Sequence, residues 1–221
     1  APAPAPAPAA APAEPLRAVV AANDQPLLSA DAHTAAPIAA KLKSQEVAGG
    51  ALLSAHEKAV MDALVAAVAG RAPCPEGFKA LRDVLERGGA RVMVQVYFLL
   101  RLLVLDSFGS ASAGGEDLAA RNALVEGVVA AVAGETAPSV AAHSMGLCVL
   151  SNLFASREGT DYLMDNCVGA MLDAALRDLR HARTEVRTMA SALLANCARA
   201  VAARAPAPGG GGGGGGGSGM A

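Results

Sequence analysis

The segment MGLCVLSNLF at residues 145–154 has an echo, MASALLANCA, at residues 189–198. Both open on Met, carry apolar residues at helical spacing, and place an asparagine at the same point, Asn152 and Asn196. The offset is 44 residues. A weaker copy, Leu100-Arg-Leu-Leu-Val, precedes Leu147-Cys-Val-Leu-Ser by 47 residues. Self-similarity at such a period marks repeating units of two or three helices. One such unit cannot cover its own apolar face, so neighbours stack.

Working outward, almost every other stretch also reads as helix. Asp31 and Thr34 open a short one that runs through Lys41, Leu42 and Lys43. Ser54-Ala-His-Glu57 has capping-box spacing, with the Ser hydroxyl and the Glu carboxylate each satisfying the other's amide. The helix it opens lines Val60, Leu64, Ala67 and Val68 along one face and ends near Gly70. Pro75 suits the first turn of the next helix, which carries Phe78, Leu81, Val84 and Leu85 and is broken by Gly88-Gly89. Residues 90–107 form a helix that is apolar nearly all round, as expected of one buried in the middle of an assembly. A loop is expected over residues 109–115. Helices follow at 117–133, 139–154, 160–179 (with a break near Gly169) and 184–204, where Thr184 suits an N-cap and Glu185 the helix dipole. No stretch alternates with period two. The expected fold is all-α, an α-solenoid of armadillo/HEAT type.

The chain has 221 residues, 53% apolar, 17% charged and 3% aromatic, with a net charge of −2 and no Trp. Scarce aromatic rings and a near-neutral balance argue against nucleic acid, which is bound by stacking and by Lys and Arg. Residues 1–24 are Pro/Ala-rich, and residues 205–221 include nine consecutive glycines. Such composition reads as disordered linker and cannot bury a core. One domain over residues 25–204 is expected, with further domains beyond one or both tails. The most apolar run, Val92 to Leu105, is too short for a membrane span and contains Gln95 and Arg101. No membrane association and no signal peptide are expected.

The residues show no assembled catalytic set. Cys74, Cys148, Cys167 and Cys197 are widely and irregularly spaced, which fits buried thiols in a reducing compartment better than zinc or a disulfide framework. His33, His56, His143 and His181 include no pair three or four apart, so no helix face offers a metal two imidazoles. His143 and Cys148 would sit about 140° apart around a helix, too far for a dyad. The run from Gly109 to Gly115 lacks the lysine of a phosphate loop and continues into Glu116. Neither enzyme activity nor a cofactor is expected.

What remains is charge. Lys79, Arg82, Arg87, Arg91 and Arg101 outnumber Asp83 and Glu86 between residues 79 and 101. Four arginines stand against Asp178 and Glu185 between residues 177 and 187, whereas residues 106–135 lean acidic. The pattern fits either solvated helix faces or a basic groove for an acidic peptide. Arg101 sits inside Tyr97-Phe-Leu-Leu-Arg-Leu-Leu-Val-Leu and must find a partner or reach a groove, since burying a lone charge is costly. A structural salt bridge and a ligand contact both satisfy that demand. Asn152 and Asn196, poor interior helix residues at matching places, imply a shared job. They can bond an extended peptide on a concave face or the adjoining interhelical loop.

Several of these elements, in order, resemble the PUL domain, the armadillo-like module of phospholipase-activating protein and its yeast relatives. They are Ile38-Ala-Ala-Lys41-Leu-Lys43, Leu53-Ser-Ala-His-Glu57, Leu99-Leu-Arg101-Leu, Gly146-Leu with Leu150 and Asn152-Leu-Phe154, Gly159-Thr-Asp-Tyr-Leu163-Met164, and Val186 through Asn196. The resemblance covers residues 25–203. It implies binding of the acidic C-terminal tail of valosin-containing protein, the hexameric AAA ATPase of ubiquitin-dependent protein handling, in a basic concave groove. It also implies a cytoplasmic, and additionally nuclear, location. Arg101 matches the family's Leu-Arg motif, and Lys41 its early Lys-Leu motif. Together with Lys43, Asn152 and Asn196 they form the expected peptide-binding set. Family members often carry Arg where Cys148 stands, and usually continue for another repeat or two after the Asn196 helix. The missing repeats would leave an open solenoid end, and weak self-association there is expected. The family also occurs attached to thioredoxin-like or desumoylating peptidase domains, so an accessory role in an enzyme is one alternative. A general armadillo/HEAT scaffold with another partner is the other.

Overall fold

The computed structural model describes residues 32–47, 50–70, 72, 74–107, 115–134 and 137–204. The expected linkers, the helix-opening Asp31 and most of the expected loop at 109–115 lie outside these residues. The described part is all-α, with nine helices and one minimal hairpin. The helices are α1 (Ala32–Lys43), α2 (Ala55–Gly70), α3 (Gly77–Gly88), α4 (Met93–Ser107), α5 (Gly115–Ala133), α6 (Val140–Leu153), α7 (Arg157–Asn166), α8 (Val168–Asp178) and α9 (Thr184–Arg204). Two-residue strands β1 (Glu46–Val47) and β2 (Gly50–Ala51) pair antiparallel between α1 and α2.

Local chemistry sets most boundaries. The Glu57 amide donates to Ser54 Oγ (3.2 Å) and the Ser54 amide to Glu57 Oε2 (2.8 Å), so the capping box forms. The other Glu57 oxygen takes the Arg87 guanidinium of α3, whose Nε also donates to the Leu52 carbonyl at 3.0 Å. α2 is thereby tied at its start to the end of α3. The Ser139 and Ser156 hydroxyls cap α6 and α7 by accepting from the amides of Ala142 (3.1 Å) and Gly159 (3.0 Å).

α3 begins differently. Pro75 falls just ahead of it, and Glu76 takes a left-handed φ of 61° with no side-chain cap. The cap comes from the first turn of α5, where Asp117 Oδ1 accepts the Lys79 amide at 2.8 Å. Burial raises the Asp117 pKa, against the lowering effect of the Lys79 and Phe78 amides. α3 ends where expected, with Gly89 at φ 54°, followed by a 3₁₀ turn over Gly89–Arg91.

Helices pack in pairs: α1 with α2, α3 with α4, α5 with α6, and α8 with α9. Each pair touches the next through both of its members. α4 lies against α1 and α6, and α6 against α9; α3 lies against α2 and α5, and α5 against α8. This makes two layers, with short α7 touching α6, α8 and α9. α4 has neighbours from three pairs, which explains its apolar circumference: Val96, Tyr97, Leu99, Leu100, Leu102, Leu103 and Val104 are all buried. Gly146 lets α6 come close, since a Cβ there would sit 2.7 Å from Val132 Cγ2 and 3.6 Å from the Tyr97 ring. The expected break near Gly169 falls instead at Cys167, and Gly169 lies inside α8. None of the helices among the described residues is long and apolar enough to cross a membrane.

Candidate functional site

Arg101 is the centre of the site. α4 carries it into the layer formed by α1, α4, α6 and α9, and it is only 5% exposed. No described carboxylate lies within ion-pair distance of it. Its guanidinium carbon sits 4.1 Å from the centroid of the Phe98 ring, one turn back on the same helix, in a cation–π arrangement. Its Nε is buried without a hydrogen-bond partner. Burial lowers its pKa, while the neighbouring Cys148 sulfur acts in the opposite sense. Cys148 in turn contacts Met189 Sδ at 3.3 Å, so the site joins α4, α6 and α9. Burial pushes the Cys148 thiol up to about 11, against the pull of Arg101, so this sulfur stays protonated near neutral pH.

Other unpartnered polar atoms lie on the same helix and on α6. Among the described residues, the fully buried side-chain polar atoms without a hydrogen bond are Gln95 Oε1, Arg101 Nε, Ser151 Oγ and Asn152 Oδ1. All four belong to α4 and α6, which pack directly together. Buried polar groups are ordinarily paired, and the described exceptions all fall on these two packed helices. Half-buried Phe98, Met145 and Met189 stand on the same three helices and pack against the core.

The remaining expected site residues fall into two groups. Asn152 is 1% exposed, and its amide nitrogen donates to the Arg101 carbonyl at 2.8 Å. Asn196 donates to the Ser151 carbonyl at 3.2 Å, and its oxygen accepts from Arg199 at 2.6 Å. In no described bond does either amide meet the adjoining interhelical loop, the alternative expected for them. Each instead bonds the main chain of the preceding helix in its own layer, and their burial withdraws them from solvent. Lys41 is exposed on α1. Lys43 forms an ion pair with Asp62 of α2. No described hydrogen bond or ion pair joins either lysine to Arg101.

Most of the basic run is occupied. Lys79 and Arg82 pair with Asp83, Arg82 with Glu86, and Arg87 with Glu57. Arg177 caps α5 by donating to the carbonyls of Ala133 (2.8 Å) and Val132 (2.6 Å), and its Nε reaches Asp178 at 3.1 Å. Asp178 also holds His143 Nε2 at 2.6 Å, a buried pair 35 residues apart that no local spacing signals. The four cysteines are buried, Cys148 on α6, Cys197 on α9, and Cys74 and Cys167 in connections, and His143 and Cys148 serve different contacts.

Compared with protein-family models, with curated proteins and with solved structures, the chain matches none.

Proposed function

We propose that this chain is a non-catalytic protein-interaction module, an armadillo/HEAT-like α-solenoid that takes an acidic peptide at Arg101. The observation that carries the reading is the buried Arg101 guanidinium, without a described carboxylate partner and with its Nε unpaired. A buried cation is tolerated when an anion completes it, and a carboxylate arriving on a partner would do so. The packing of α1–α6, α8 and α9 in successive pairs supports the solenoid reading, because contacts between successive helix pairs are what stacked repeats make. Half-buried Phe98, Met145 and Met189 supply an adaptable apolar floor beside the charge. Exposed Lys41 on α1 adds positive potential on the same layer. The resemblance to the PUL domain supplies a specific candidate ligand, the acidic C-terminal tail of valosin-containing protein, in ubiquitin-dependent protein handling.

The test is a fluorescence-anisotropy titration of the full chain with that acidic tail peptide, at low and high salt. Saturable binding that weakens with salt, and is lost in Arg101→Met with the helical circular dichroism retained, supports the reading. Equal binding by the Arg101→Met chain, or no saturation by a folded wild-type chain, overturns it.

A further inference from the structure

A second site lies where the start of α6 meets the turn between α8 and α9. A cavity of about 420 Å³ is lined by Ala137, Ser139, Val140, His143, Arg177, Asp178, Arg180 and His181. The two imidazoles stack nearly parallel, with centroids 6.3 Å apart and planes at 15°. The charges in its wall are unevenly used. Asp178 is spent on Arg177 Nε and His143 Nε2, and the rest of Arg177 caps α5. Arg183 pairs with Glu185, and Arg187 donates to the carbonyls of His181 and Ala182 and to Thr184 Oγ1. Arg180, exposed on the cavity rim, makes no described side-chain bond.

His181 is prepared as a donor. Its Nδ1 accepts the Arg183 amide at 3.1 Å, so in the neutral ring Nε2 carries the hydrogen. The first turn of α6 adds the positive end of a 14-residue helix. Beside these donors stands an apolar wall, Ala137 with Val140, the latter 43% exposed despite its size. The volume is at the lower end for a ligand pocket and larger than a bare oxyanion needs.

We propose that this cavity binds a small phosphate monoester. Arg180 and His181 Nε2 take the dianion, and the organic group lies against Val140 and Ala137. The site is independent of the peptide reading at Arg101.

O-phosphoserine, inorganic phosphate and serine are titrated calorimetrically into the full chain at constant ionic strength. The expected result is saturable binding of phosphoserine, weaker binding of phosphate and none of serine. Arg180→Gln should weaken phosphoserine about tenfold, the loss of one charge-assisted contact, with an unchanged melting temperature. Arg157→Gln, an exposed arginine on α7 that pairs with Asp161 away from the cavity, serves as the control and should leave phosphoserine binding unchanged. No saturable phosphoserine binding, or equal losses in both variants, overturns the site. Phosphate binding as tightly as phosphoserine overturns the role of the Val140 wall.

Discussion

The side-chain amide of Asn152 donates to the main-chain carbonyl of Arg101 at 2.8 Å, from α6 to α4. The residue that echoes it, Asn196, repeats the gesture one helix further on, toward Ser151. Both bonds cross between helices of the same layer. They fix how one pair lies against the next without asking anything of solvent.

Replacing Asn152 by Ala should therefore cost about 1–3 kcal/mol, since it removes a buried bond and leaves a gap. Urea unfolding measures this as a lower midpoint with an unchanged slope. A midpoint equal to that of the wild type would show that the bond carries no weight.

Arg101 points to the opposite outcome for stability. Its removal leaves no orphaned carboxylate, and methionine fills the same apolar lane. Arg101→Met should hold or raise the thermal midpoint by a few degrees, as is common when a buried charge gives way to a hydrophobic residue of similar volume. A drop of ten degrees or so would instead assign the guanidinium a structural role.

Glu57 gives a pH-dependent contribution. Burial raises its pKa, but bonds from Arg87 and Ser54 outweigh this and hold it below its ordinary 4.5. A depressed carboxyl stabilises the fold above that value, and the contribution is lost as pH falls through the lower, folded-state value. Glu57→Gln keeps an acceptor for the Ser54 amide and loses the charge on Arg87. It should cost about 1 kcal/mol at neutral pH. The gap to wild type should close on acidification below 4.5, read from urea midpoints across pH. A gap that widens on acidification would contradict the assignment.

Two glycines should answer alanine with opposite signs. At Gly146 a Cβ would meet Val132 Cγ2 at 2.7 Å, so Gly146→Ala should destabilise by about 1–3 kcal/mol through overpacking. At Gly169, inside α8, nothing lies within 4 Å, so Gly169→Ala should gain about 0.5–1 kcal/mol from helix propensity and a less floppy unfolded chain. Parallel melting curves of the two variants decide the matter.

Features written within a few residues were legible in the sequence. The Ser54–Glu57 box and the Gly88-Gly89 stop act over one helical turn, and the structure contains both. The apolar circumference of α4 correctly announced a central helix, because burial on all sides leaves no room for a polar face. Three features were misjudged or missed because they rest on partners or backbone geometry that composition and spacing do not display. Asn152 and Asn196 were recognisable as a repeated device, but their acceptors lie 51 and 45 residues away. The arginines at 177 and 187 looked like a charge run, yet carbonyl groups claim much of them. The break before α8 was expected at the glycine. The chain instead turns at Cys167, a buried residue that leaves helical geometry at φ −127° and ψ −6°, while Gly169 faces open space.

The bond from Asp117 to the Lys79 amide places the cap of one helix 38 residues downstream of the turn it closes. Until α5 arrives, the first turn of α3 has no side chain to satisfy it, because Glu76 offers none. The start of α3 is thus written in another part of the chain and is completed only by assembly. The Lys79 amide proton becomes a built-in reporter of docking: its protection from exchange measures whether the following pair is seated, not how strongly α3 itself favours a helix.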